Sequence, residues 1–422
     1  MQKYENDGRK RILLVTGGYP YGESERGFLQ TEVDCLRQRY DLVFLAENTT
    51  DELKYPMDPA DSVQRFSYPS LSLDFPNILR ILRTLCCPGF YRDCAAIWGK
   101  GTLGEFLKRA KELLIYSLMG DSVAGQLRAI VEKERIDLIY TYWCKPITLA
   151  ALRLKKKFPS LKVITRFHGV DLYNERALKT SIQPFRHTIG KESDLLVFAC
   201  EKGRQYFCRH WGYEEKSVLA YLGCRAMEQI PPRQERDIVL VSCSNLFHMK
   251  RVQYIADALA IFPKDRNIFW HHFGDGTDRV EIEKHVTEKL SGIDNVGWKF
   301  WGAVSNKELD SFYRKIQPDV FITTSSTEGG TPVSVQEALA MGIPVIGTDV
   351  GGIPEAIIHG VNGYLLSDDP DPSQIVQAIL AMCPDDAASG AVLRAEAYRV
   401  WQEKFDAEKN AGRFIAILQT LI

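Results

Sequence analysis

Residues 326–357 read STEGGTPVSVQEALAMGIPVIGTDVGGIPEAI, and this stretch decides the fold of the C-terminal half of the chain. Glu328 opens a loop of small residues, the helix that follows carries Glu337, and residues 343–347 read as a buried strand. Loop amides at a helix N-terminus favour anions, because their N–H groups and the helix dipole point the same way. A carboxylate within such a helix can accept hydrogen bonds from both hydroxyls of a ribose. The pattern therefore predicts a strand–loop–helix–strand unit that holds a phosphate, a sugar and a ribose, as a nucleotide-sugar requires.

Short apolar runs alternate with longer amphipathic segments along the rest of the chain. In the first half the runs are residues 11–17, 40–47, 136–143, 162–169 and 194–201. In the second half they are residues 237–244, 267–274, 295–302, 319–326 and 343–349. Strands that alternate with helices favour a parallel sheet, and continuous apolar runs are typical of strands buried on both faces. The sequence therefore predicts an α/β protein with two Rossmann-like halves.

The polar, proline-rich residues 231–236 are the predicted linker between these halves. We accordingly expect an N-terminal domain over residues 1–230 and a C-terminal domain over residues 231–397. Residues 398–422 form an amphipathic tail. Ligands of parallel sheets bind at the carboxyl ends of the strands, so we expect the site in a cleft between two facing domains.

Composition argues against several classes of protein. The 422 residues are 45% hydrophobic and 25% charged, which is ordinary for a globular protein. The formal net charge of −1 argues against nucleic acid as a partner. The ten cysteines show neither disulfide nor zinc spacing, which favours reduced thiols in a cytoplasmic enzyme. We expect neither a signal peptide nor a membrane-spanning helix, because no apolar run approaches the ~20 residues that a span needs.

The stretch 326–357 resembles the donor site of retaining glycosyltransferases of family 4, which have the GT-B fold. The shared pattern is a Glu, a loop of small residues, a second Glu in the following helix, a Gly-x-Pro-Val strand, and a Gly-Gly turn with a Glu. The loop between Glu328 and Glu337 carries one residue more than the family pattern, and we place the insertion at residues 329–330. The resemblance covers most of the chain and is strongest over residues 237–360.

The resemblance implies a GT-B architecture, in which two Rossmann-like domains face each other across a cleft and the C-terminal helix returns to the N-terminal domain. It implies transfer of a hexose or N-acetylhexosamine from a nucleotide-sugar to a hydroxyl, with retention at the anomeric carbon and without a metal ion or other cofactor. The expected donor is UDP-linked. The expected acceptor is a glycan or lipid-linked molecule of cell-surface polysaccharide synthesis.

The resemblance also assigns the donor site of the C-terminal domain residue by residue. Glu328 is expected to contact the transferred sugar, and Glu337 to hold the ribose. Lys250 matches the family's diphosphate-binding lysine, whereas Asn245 stands where arginine is usual and Arg251 where glycine is common. We expect Lys250 and Arg251 to neutralise the leaving diphosphate, since stabilising developing charge is usually the largest contribution in such sites. The other expected donor contacts are Asn245, Gly274, Trp301, Gly329, Gly330, Thr331, Pro332 and Val333.

The Gly17–Gly18 turn follows the first predicted strand of the N-terminal domain. Glycines at such a position let the backbone approach a ligand closely, and the resemblance makes this turn face the donor diphosphate and the acceptor. The turn lacks the G-x-G-x-x-G fingerprint of dinucleotide-binding proteins. A nicotinamide oxidoreductase is therefore poorly supported.

His168 lies just after another predicted strand of the N-terminal domain. It matches a histidine that family members present near the transferred sugar, and we predict that it acts in catalysis with Glu328 and Lys250. Arg166 and Asp171 flank it. Each of these two is expected either to orient His168 or to touch the acceptor.

Residues 75–119 are the least family-like part of the chain. They mix leucines with the basic residues Arg80, Arg83, Arg92, Lys108, Arg109 and Lys111. One interpretation is a basic amphipathic face that rests on an anionic membrane, at the inner face of the plasma membrane, where a lipid-linked acceptor would lie. The other is a set of ordinary helices packed against the N-terminal sheet.

Two other kinds of protein stay open. A GT-B sugar-nucleotide epimerase shares the architecture, although its catalytic signatures are not found in this sequence. A catalytically inactive nucleotide-sugar-binding homologue is suggested by Asn245 and by the altered Glu spacing. No Asp-x-Asp pair lies at a predicted strand end, and no His, Cys and carboxylate cluster has metal spacing, so we expect no metal site.

Overall fold

The computed structural model describes residues 8–22, 25–47, 52–53, 55, 57–58, 61–70, 75–99, 101–177, 181–233 and 235–422. Gln234 of the predicted linker and Lys100 of the basic region lie outside these residues. The chain divides into two compact units, the first formed by Met1–Leu222 with Glu408–Ile422 and the second by Gly223–Ala407.

The first unit is built on seven strands, which are β1 (Arg11–Thr16), β2 (Asp41–Glu47), β3 (Ser62–Phe66), β4 (Leu138–Thr141), β5 (Lys162–Phe167), β6 (Leu195–Phe198) and β7 (Ser217–Leu219). They form one sheet in the order β3-β2-β1-β4-β5-β6-β7, and every paired neighbour runs parallel. The five apolar runs predicted as strands are confirmed. The two strands of this sheet that were not predicted, β3 and β7, are its edges. β3 has only two apolar residues, and β7 is only three residues long.

The helices of the first unit are α1 (Arg26–Arg37), α2 (Phe75–Leu85), α3 (Pro88–Ile97), α4 (Leu103–Glu134), α5 (Pro146–Lys155), α6 (Arg186–Glu192) and α7 (Glu201–Trp211). The long helix α4 starts with a capping box, in which the Thr102 side chain accepts from Glu105 N and the Glu105 carboxylate accepts from Thr102 N. Within the described ranges, none of the helices is both long and apolar enough to cross a membrane.

The second unit has six strands, which are β8 (Ile238–Cys243), β9 (Ile268–Phe273), β10 (Val296–Phe300), β11 (Val320–Thr323), β12 (Val345–Thr348) and β13 (Gly363–Leu366). Their order is β10-β9-β8-β11-β12-β13, again with parallel neighbours. The order reverses between β8 and β11, because the chain first builds outward through β10 and then returns to the other side of β8. Such a switch point is where parallel α/β sheets bind ligands, at the carboxyl ends of the strands.

The helices of the second unit are α8 (Gln253–Leu259), α9 (Arg279–Leu290), α10 (Asn306–Ile316), α11 (Val333–Ala340), α12 (Ile353–Ala356), α13 (Pro372–Met382) and α14 (Ala387–Val400). A π-helical turn, Trp401–Phe405, follows α14. The strand–loop–helix–strand unit predicted for residues 326–357 is present as β11, a loop, α11 and β12.

The unit boundaries fall at different places from the predicted ones. Cys224 N donates to Phe405 O at 3.1 Å, and Ile230 N donates to Met341 O at 2.9 Å. These bonds attach the segment before residue 231 to the second unit. Trp401 and Phe405 are buried, which explains why the second unit extends beyond residue 397.

The C-terminal helix, α15 (Ala407–Gln419), belongs to the first unit except for its first residue. Phe414 and Leu418 of this helix are buried in one apolar cluster with Ile12 and Leu14 of β1. The predicted return of the tail to the N-terminal domain is therefore confirmed, as is the α/β class with two Rossmann-like sheets.

Candidate functional site

Two segments that follow neighbouring strands of the second unit come together. After β8 the chain passes through Lys250 at the end of a short 3-10 helix, and after β11 it passes through Glu328. Ser326 N donates to Met249 O at 2.8 Å, which fastens one segment to the other. The structure therefore brings two predicted donor-binding segments together at the switch point of the sheet.

Lys250 and Glu328 form an ion pair at this junction, with Lys250 Nζ donating to Glu328 Oε1. Ser325 Oγ donates to the same carboxylate oxygen at 2.7 Å. Only 18% of the Lys250 side chain and 12% of the Glu328 side chain are exposed, so solvent ions screen the pair weakly. One cation and one anion thus lie side by side at the strand ends, where the resemblance implies a diphosphate and a sugar.

The loop between Glu328 and α11 is supported by the Gly351–Gly352 turn. Thr331 Oγ1 donates to the Gly352 carbonyl at 2.8 Å, and Gly352 N donates to the Gly330 carbonyl at 3.3 Å. A Cβ atom on Gly352 would overlap the backbone of Gly330 and Thr331, and Gly351 has a φ of 53°. Both glycines are therefore needed for the close approach of the turn to the loop.

The N-terminus of α11 is the second feature of this loop. The helix begins at Val333 after Pro332, and no side chain caps its first turn. The first N–H groups of a helix have no intrahelical acceptors, so an uncapped start suits an anionic ligand. The extra residue relative to the family pattern is accommodated in the loop before the helix. The sugar and phosphate contacts of residues 329–333 stay predictions.

Glu337 lies on α11 and accepts a hydrogen bond from Asn306 Nδ2 at 3.1 Å. Burial raises the pKa of this carboxyl to about 7, because the charged form loses solvation. A ligand that supplies two hydroxyl donors would favour the ionised form, which can only accept hydrogen bonds. The position and chemistry of Glu337 suit a ribose, and that role stays a prediction.

Arg251 has an environment that differs from the predicted one. Its guanidinium is buried, with Nε donating to Thr324 O at 2.9 Å, Nη1 to Asp369 Oδ1 at 2.8 Å and Nη2 to Ser325 O at 3.0 Å. Nη2 also donates to Asp368 O. These bonds tie the end of β11 to the loop after β13, so the geometry gives no support to the predicted diphosphate contact. The φ of 46° is left-handed, which explains why glycine suits this position.

Asn245 and Gly274 follow β8 and β9, respectively. Asn245 is exposed, so its amide is accessible to a ligand, although it lacks the charge of the arginine that is usual there. Gly274 N donates to Gly302 O at 2.8 Å, and its φ is 135°. A Cβ atom on Gly274 would overlap the Ser244 carbonyl. Gly274 thus has a structural reason to be glycine, and its donor contact stays a prediction.

Trp301 belongs to an aromatic cluster just after β10. Its Nε1 donates to His271 Nδ1 at 3.0 Å, its ring centroid lies 4.4 Å from that of Phe312, and Lys299 Nζ lies 3.7 Å from the indole centroid. Burial and the nearby Lys299 lower the pKa of His271 to about 4, so a neutral imidazole accepts this hydrogen bond. The indole is half-buried, which suits the predicted contact with a nucleobase.

In the first unit, the Gly17–Gly18 turn encloses a carboxylate of its own chain. The N–H groups of Gly17, Gly18 and Tyr19 donate to the Glu25 carboxylate at 2.8, 2.7 and 2.8 Å. Trp143 Nε1 donates to it as well. Consecutive amides of this kind form a nest for an anion, and Glu25 fills this one. A donor contact through these amides, as predicted, would require Glu25 to leave.

His168 follows β5 and is buried against the Trp143 ring, with 4.1 Å between the ring centroids. Its Nε2 lies 3.0 Å from Tyr142 O, which can only accept, so this nitrogen carries the proton. Burial, with Arg166 nearby, lowers the pKa of His168 to about 3 and keeps the imidazole neutral. Its unprotonated Nδ1 is chemically able to accept from a sugar hydroxyl, and its role in catalysis stays a prediction.

Arg166 and Asp171, which flank His168, are both buried and have partners within the first unit. Arg166 Nη2 lies 2.9 Å from Glu32 Oε2 in a buried ion pair. The Asp171 carboxylate accepts from His168 N and Cys144 N, each at 2.8 Å. Asp171 therefore orients the backbone of His168, and Arg166 stabilises the core beside it.

Sequence reasoning missed three polar residues. Glu25 binds the amides of the Gly17–Gly18 turn. The feature of the sequence that could have indicated this contact is a carboxylate a few residues after a glycine pair. Ser325 supports Glu328 and lies in the same strand-end segment. Asn306, at the first position of α10, contacts Glu337 from a part of the chain that no motif connects with it.

Comparison with known proteins adds family information. Residues 225–399 match the family model described as glycosyl transferases group 1. N-acetyl-alpha-D-glucosaminyl L-malate synthase of Bacillus anthracis is 26% identical over 259 residues, which cover 58% of this chain and 65% of that protein. The O-antigen biosynthesis glycosyltransferase WbnH of Escherichia coli is 24% identical over 249 residues, which cover 58% of this chain and 68% of that protein. The chain thus spans about two thirds of the length of these relatives.

The fold is similar to that of a solved structure. The crystal structure of Anabaena HepE in complex with UDP and glucose covers 98% of this chain and 100% of its own chain, with a TM-score of 0.66 and 17% sequence identity. At this identity the likeness shows the fold alone, and with the two parallel sheets it confirms the GT-B fold. Residues 225–399 are therefore similar to glycosyl transferases group 1, and the chain as a whole has the GT-B fold.

Proposed function

We propose that the protein is a retaining glycosyltransferase of family 4, which transfers a hexose or N-acetylhexosamine from a UDP-linked donor to a hydroxyl of a glycan or lipid-linked acceptor. The observation that carries this proposal is the Lys250–Glu328 pair at the switch point of the second unit, next to the uncapped start of α11. A diphosphate offers negative charge to the ammonium, and a sugar offers hydroxyls to the carboxylate. Glu337 on the same helix would accept from the ribose.

The choice of UDP is supported by the solved complex of HepE, which contains UDP and glucose. It is also supported by the half-buried Trp301 cluster, which offers an aromatic surface for a planar base to contact. Lys299 over the indole adds a cation near this surface. These observations favour a nucleotide as part of the donor.

In the proposed reaction, Lys250 stabilises the negative charge of the leaving diphosphate. As the bond between the anomeric carbon and the diphosphate oxygen breaks, negative charge develops on the leaving group, and a positioned ammonium stabilises it. The acceptor oxygen bonds to the same face of the anomeric carbon, through a transition state like an oxocarbenium ion. The acceptor proton passes to the departing phosphate. The neutral His168 is proposed to accept a hydrogen bond from a sugar hydroxyl, and no protein base is required.

Cell-surface polysaccharide synthesis is the proposed setting. It is supported by the similarity to WbnH, which is named for O-antigen biosynthesis. A cytoplasmic enzyme at the inner face of the plasma membrane would meet both a nucleotide-sugar and a lipid-linked acceptor. An epimerase or an inactive homologue is less well supported, because both relatives named above carry the names of synthetic enzymes.

Catalysis without a metal ion is part of the proposal. Among the residues that the structure describes, no three His, Cys, Asp or Glu side chains are grouped as metal ligands. Because the proposal assigns neutralisation of the diphosphate to Lys250, transfer should continue in excess EDTA at the rate measured without it. If sugar transfer is lost in EDTA and recovers on adding Mn²⁺ or Mg²⁺, a metal ion rather than Lys250 neutralises the diphosphate.

The experiment that tests the proposed function starts with a thermal-shift screen of UDP-glucose, UDP-galactose, UDP-N-acetylglucosamine and GDP-mannose. A donor that binds the folded state raises its melting temperature. The stabilising donor is then incubated with and without glycan acceptors. We expect release of UDP that depends on the acceptor, and a product whose anomeric proton coupling in NMR matches that of the donor. Formation of an epimerised nucleotide-sugar, or an inverted anomeric centre, would contradict the proposal.

A further inference from the structure

The helix α2 in the first unit buries two uncharged polar side chains and exposes most of its apolar ones. Asn77 and Thr84 are buried, and Thr84 Oγ1 lies 2.7 Å from Ser117 Oγ of α4. The exposed side chains, which are between 40% and 72% accessible, are Phe75, Ile78, Leu79, Leu82 and Leu85. Their spacing of i, i+3, i+4, i+7 and i+10 defines a single face of a helix.

This arrangement is the reverse of an ordinary surface helix, which buries its apolar face against the core. Packing on the N-terminal sheet therefore does not explain the apolar residues of α2, although that was one interpretation of the sequence. Single exposed apolar residues are normal, whereas a continuous apolar face marks an interaction surface.

Two more features belong to the same region. Trp98, Leu103 and Leu107 are between 58% and 65% exposed, and the Trp98 ring packs edge-on against Phe106 at 4.7 Å between centroids. They lie at the end of α3 and in the first turns of α4. The apolar side chains of α2 and α4 are accompanied by the exposed basic residues Arg83, Lys108 and Lys111.

Basic side chains outnumber acidic ones on this surface. α2 contains two arginines and no acidic residue. Near the start of α4, the carboxylate of Glu105 is hydrogen-bonded within the capping box. A second copy of the chain would present the same basic charge to this surface, and like charges disfavour such an interface. An anionic lipid bilayer offers both an apolar layer for the leucines and negative headgroups for the arginines and lysines.

We propose that the outer face of α2, together with Trp98, Leu103 and Leu107, is a docking surface for an anionic lipid bilayer. The apolar side chains enter the boundary between headgroups and acyl chains, and Arg83, Lys108 and Lys111 contact lipid phosphates. The proposal deepens the proposed function, because an enzyme docked on a bilayer can reach a lipid-linked acceptor. Only this link to the acceptor rests on the proposed function.

Cosedimentation of the purified full chain with vesicles tests the proposal. The probes are vesicles of phosphatidylcholine with about one third phosphatidylglycerol, and vesicles of phosphatidylcholine alone. The test variant carries Ile78→Ser and Leu82→Ser, which change two outward side chains of α2. The matched control carries Val280→Ser and Val392→Ser, two side chains of the second unit that are 82% and 61% exposed. Circular dichroism checks that both variants fold.

We expect the unaltered chain to bind anionic vesicles at least tenfold more tightly than neutral ones, and more weakly in 0.5 M NaCl. The α2 variant should lose at least tenfold of that binding, whereas the control variant should lose none. Equal binding by the α2 variant and the unaltered chain, or no vesicle binding by the unaltered chain, overturns the proposal. So does a dimer in light scattering that the α2 variant dissociates, because the face would then be covered by a second copy.

Transfer to a water-soluble acceptor separates this proposal from the proposed function. We expect the α2 variant to keep this transfer at the unaltered rate, because its two changes lie outside the donor segments. If the unaltered chain binds vesicles but transfers no sugar, the docking surface is supported and the proposed function is contradicted. A chain that transfers sugar and ignores vesicles would give the opposite result.

Discussion

Lys250 Nζ donates to Glu328 Oε1, so the two residues expected to receive the diphosphate and the sugar are bonded to each other. Ser325 fixes the carboxylate from a second direction. A diphosphate that binds Lys250 must therefore compete with Glu328 for the ammonium. This competition gives the two residues opposite effects on nucleotide affinity, and mutations can separate them.

Lys250→Ala should lower turnover about a hundredfold, which corresponds to ~3 kcal/mol, the typical loss when one preorganised electrostatic contact is removed. Glu328 loses a charged partner and keeps Ser325, so the free energy of unfolding should fall by only about 1–2 kcal/mol. Steady-state kinetics and chemical denaturation measure the two effects. Lys264→Ala, at an exposed lysine of the second unit, is the control and should change neither. Turnover like that of the unaltered enzyme in Lys250→Ala would exclude Lys250 from the site.

Glu328→Gln should bind free UDP at least as tightly as the unaltered enzyme, and up to about tenfold more tightly, because the ammonium of Lys250 is no longer neutralised. Transfer should nevertheless fall, since the carboxylate that contacts the sugar has lost its charge. Calorimetric titration with UDP and an assay of transfer are the two measurements. Weaker UDP binding by Glu328→Gln would mean that Glu328 contacts the nucleotide rather than the sugar.

Ten of the thirteen strands could be predicted, because buried parallel strands leave continuous apolar runs in the sequence, whereas β3, β7 and β13 were not predicted. The strand–loop–helix–strand unit of residues 326–357 could be predicted for a related reason, since Glu328, the small residues and α11 are contiguous. Contacts between residues that are far apart in the chain leave no such pattern in the sequence. Asn306 meets Glu337 only because α10 and α11 are neighbours in the fold. The orientation of α2 could not be predicted either, since the sequence of an apolar helix face is the same whether that face points toward the core or toward solvent.

Arg251→Gly tests the largest departure from the predicted site. Glycine adopts the φ of 46° without strain, so the change removes the guanidinium and spares the backbone. The carbonyls of Thr324, Ser325 and Asp368 lose a donor, and the free energy of unfolding should fall by about 2–4 kcal/mol. UDP affinity should change by less than about threefold, a loss below 1 kcal/mol.

A matched variant sharpens this test. Asp369→Ala removes the side chain that pairs with Arg251 Nη1 and is 74% exposed, so it should cost less than about 1 kcal/mol of stability. If Arg251→Gly instead left stability unchanged and weakened UDP binding tenfold or more, the guanidinium would have the diphosphate role predicted from sequence.

Glu337 gives a prediction about the pH dependence of UDP binding. Burial raises the pKa of its carboxyl to about 7, and the ionised form is the better acceptor for two ribose hydroxyls. UDP affinity should therefore fall as the pH drops through 7, by about tenfold between pH 8.5 and pH 5.5, the value of roughly one charged hydrogen bond. Glu337→Gln should bind weakly across this range and with little dependence on pH. An unchanged pH dependence in Glu337→Gln would assign the titration to another group.

The same raised pKa predicts an effect on stability with the opposite sign. The ordinary pKa of a glutamate is 4.5, so the folded state holds the Glu337 proton more tightly than the unfolded state does. The stability that this group contributes is complete below pH 4.5 and is lost as the pH rises through 7. Glu337→Gln removes the buried charge and should raise the free energy of unfolding at pH 8.5, by at most about 3 kcal/mol, and should change it little at pH 5. Denaturation at the two pH values measures the difference. An equal effect at both would show that the carboxyl is not desolvated, and a loss at pH 8.5 would show that its charge stabilises the fold. The expected result is a variant that is more stable and binds UDP less well, because the carboxylate is held buried where the proposed ribose contact requires it.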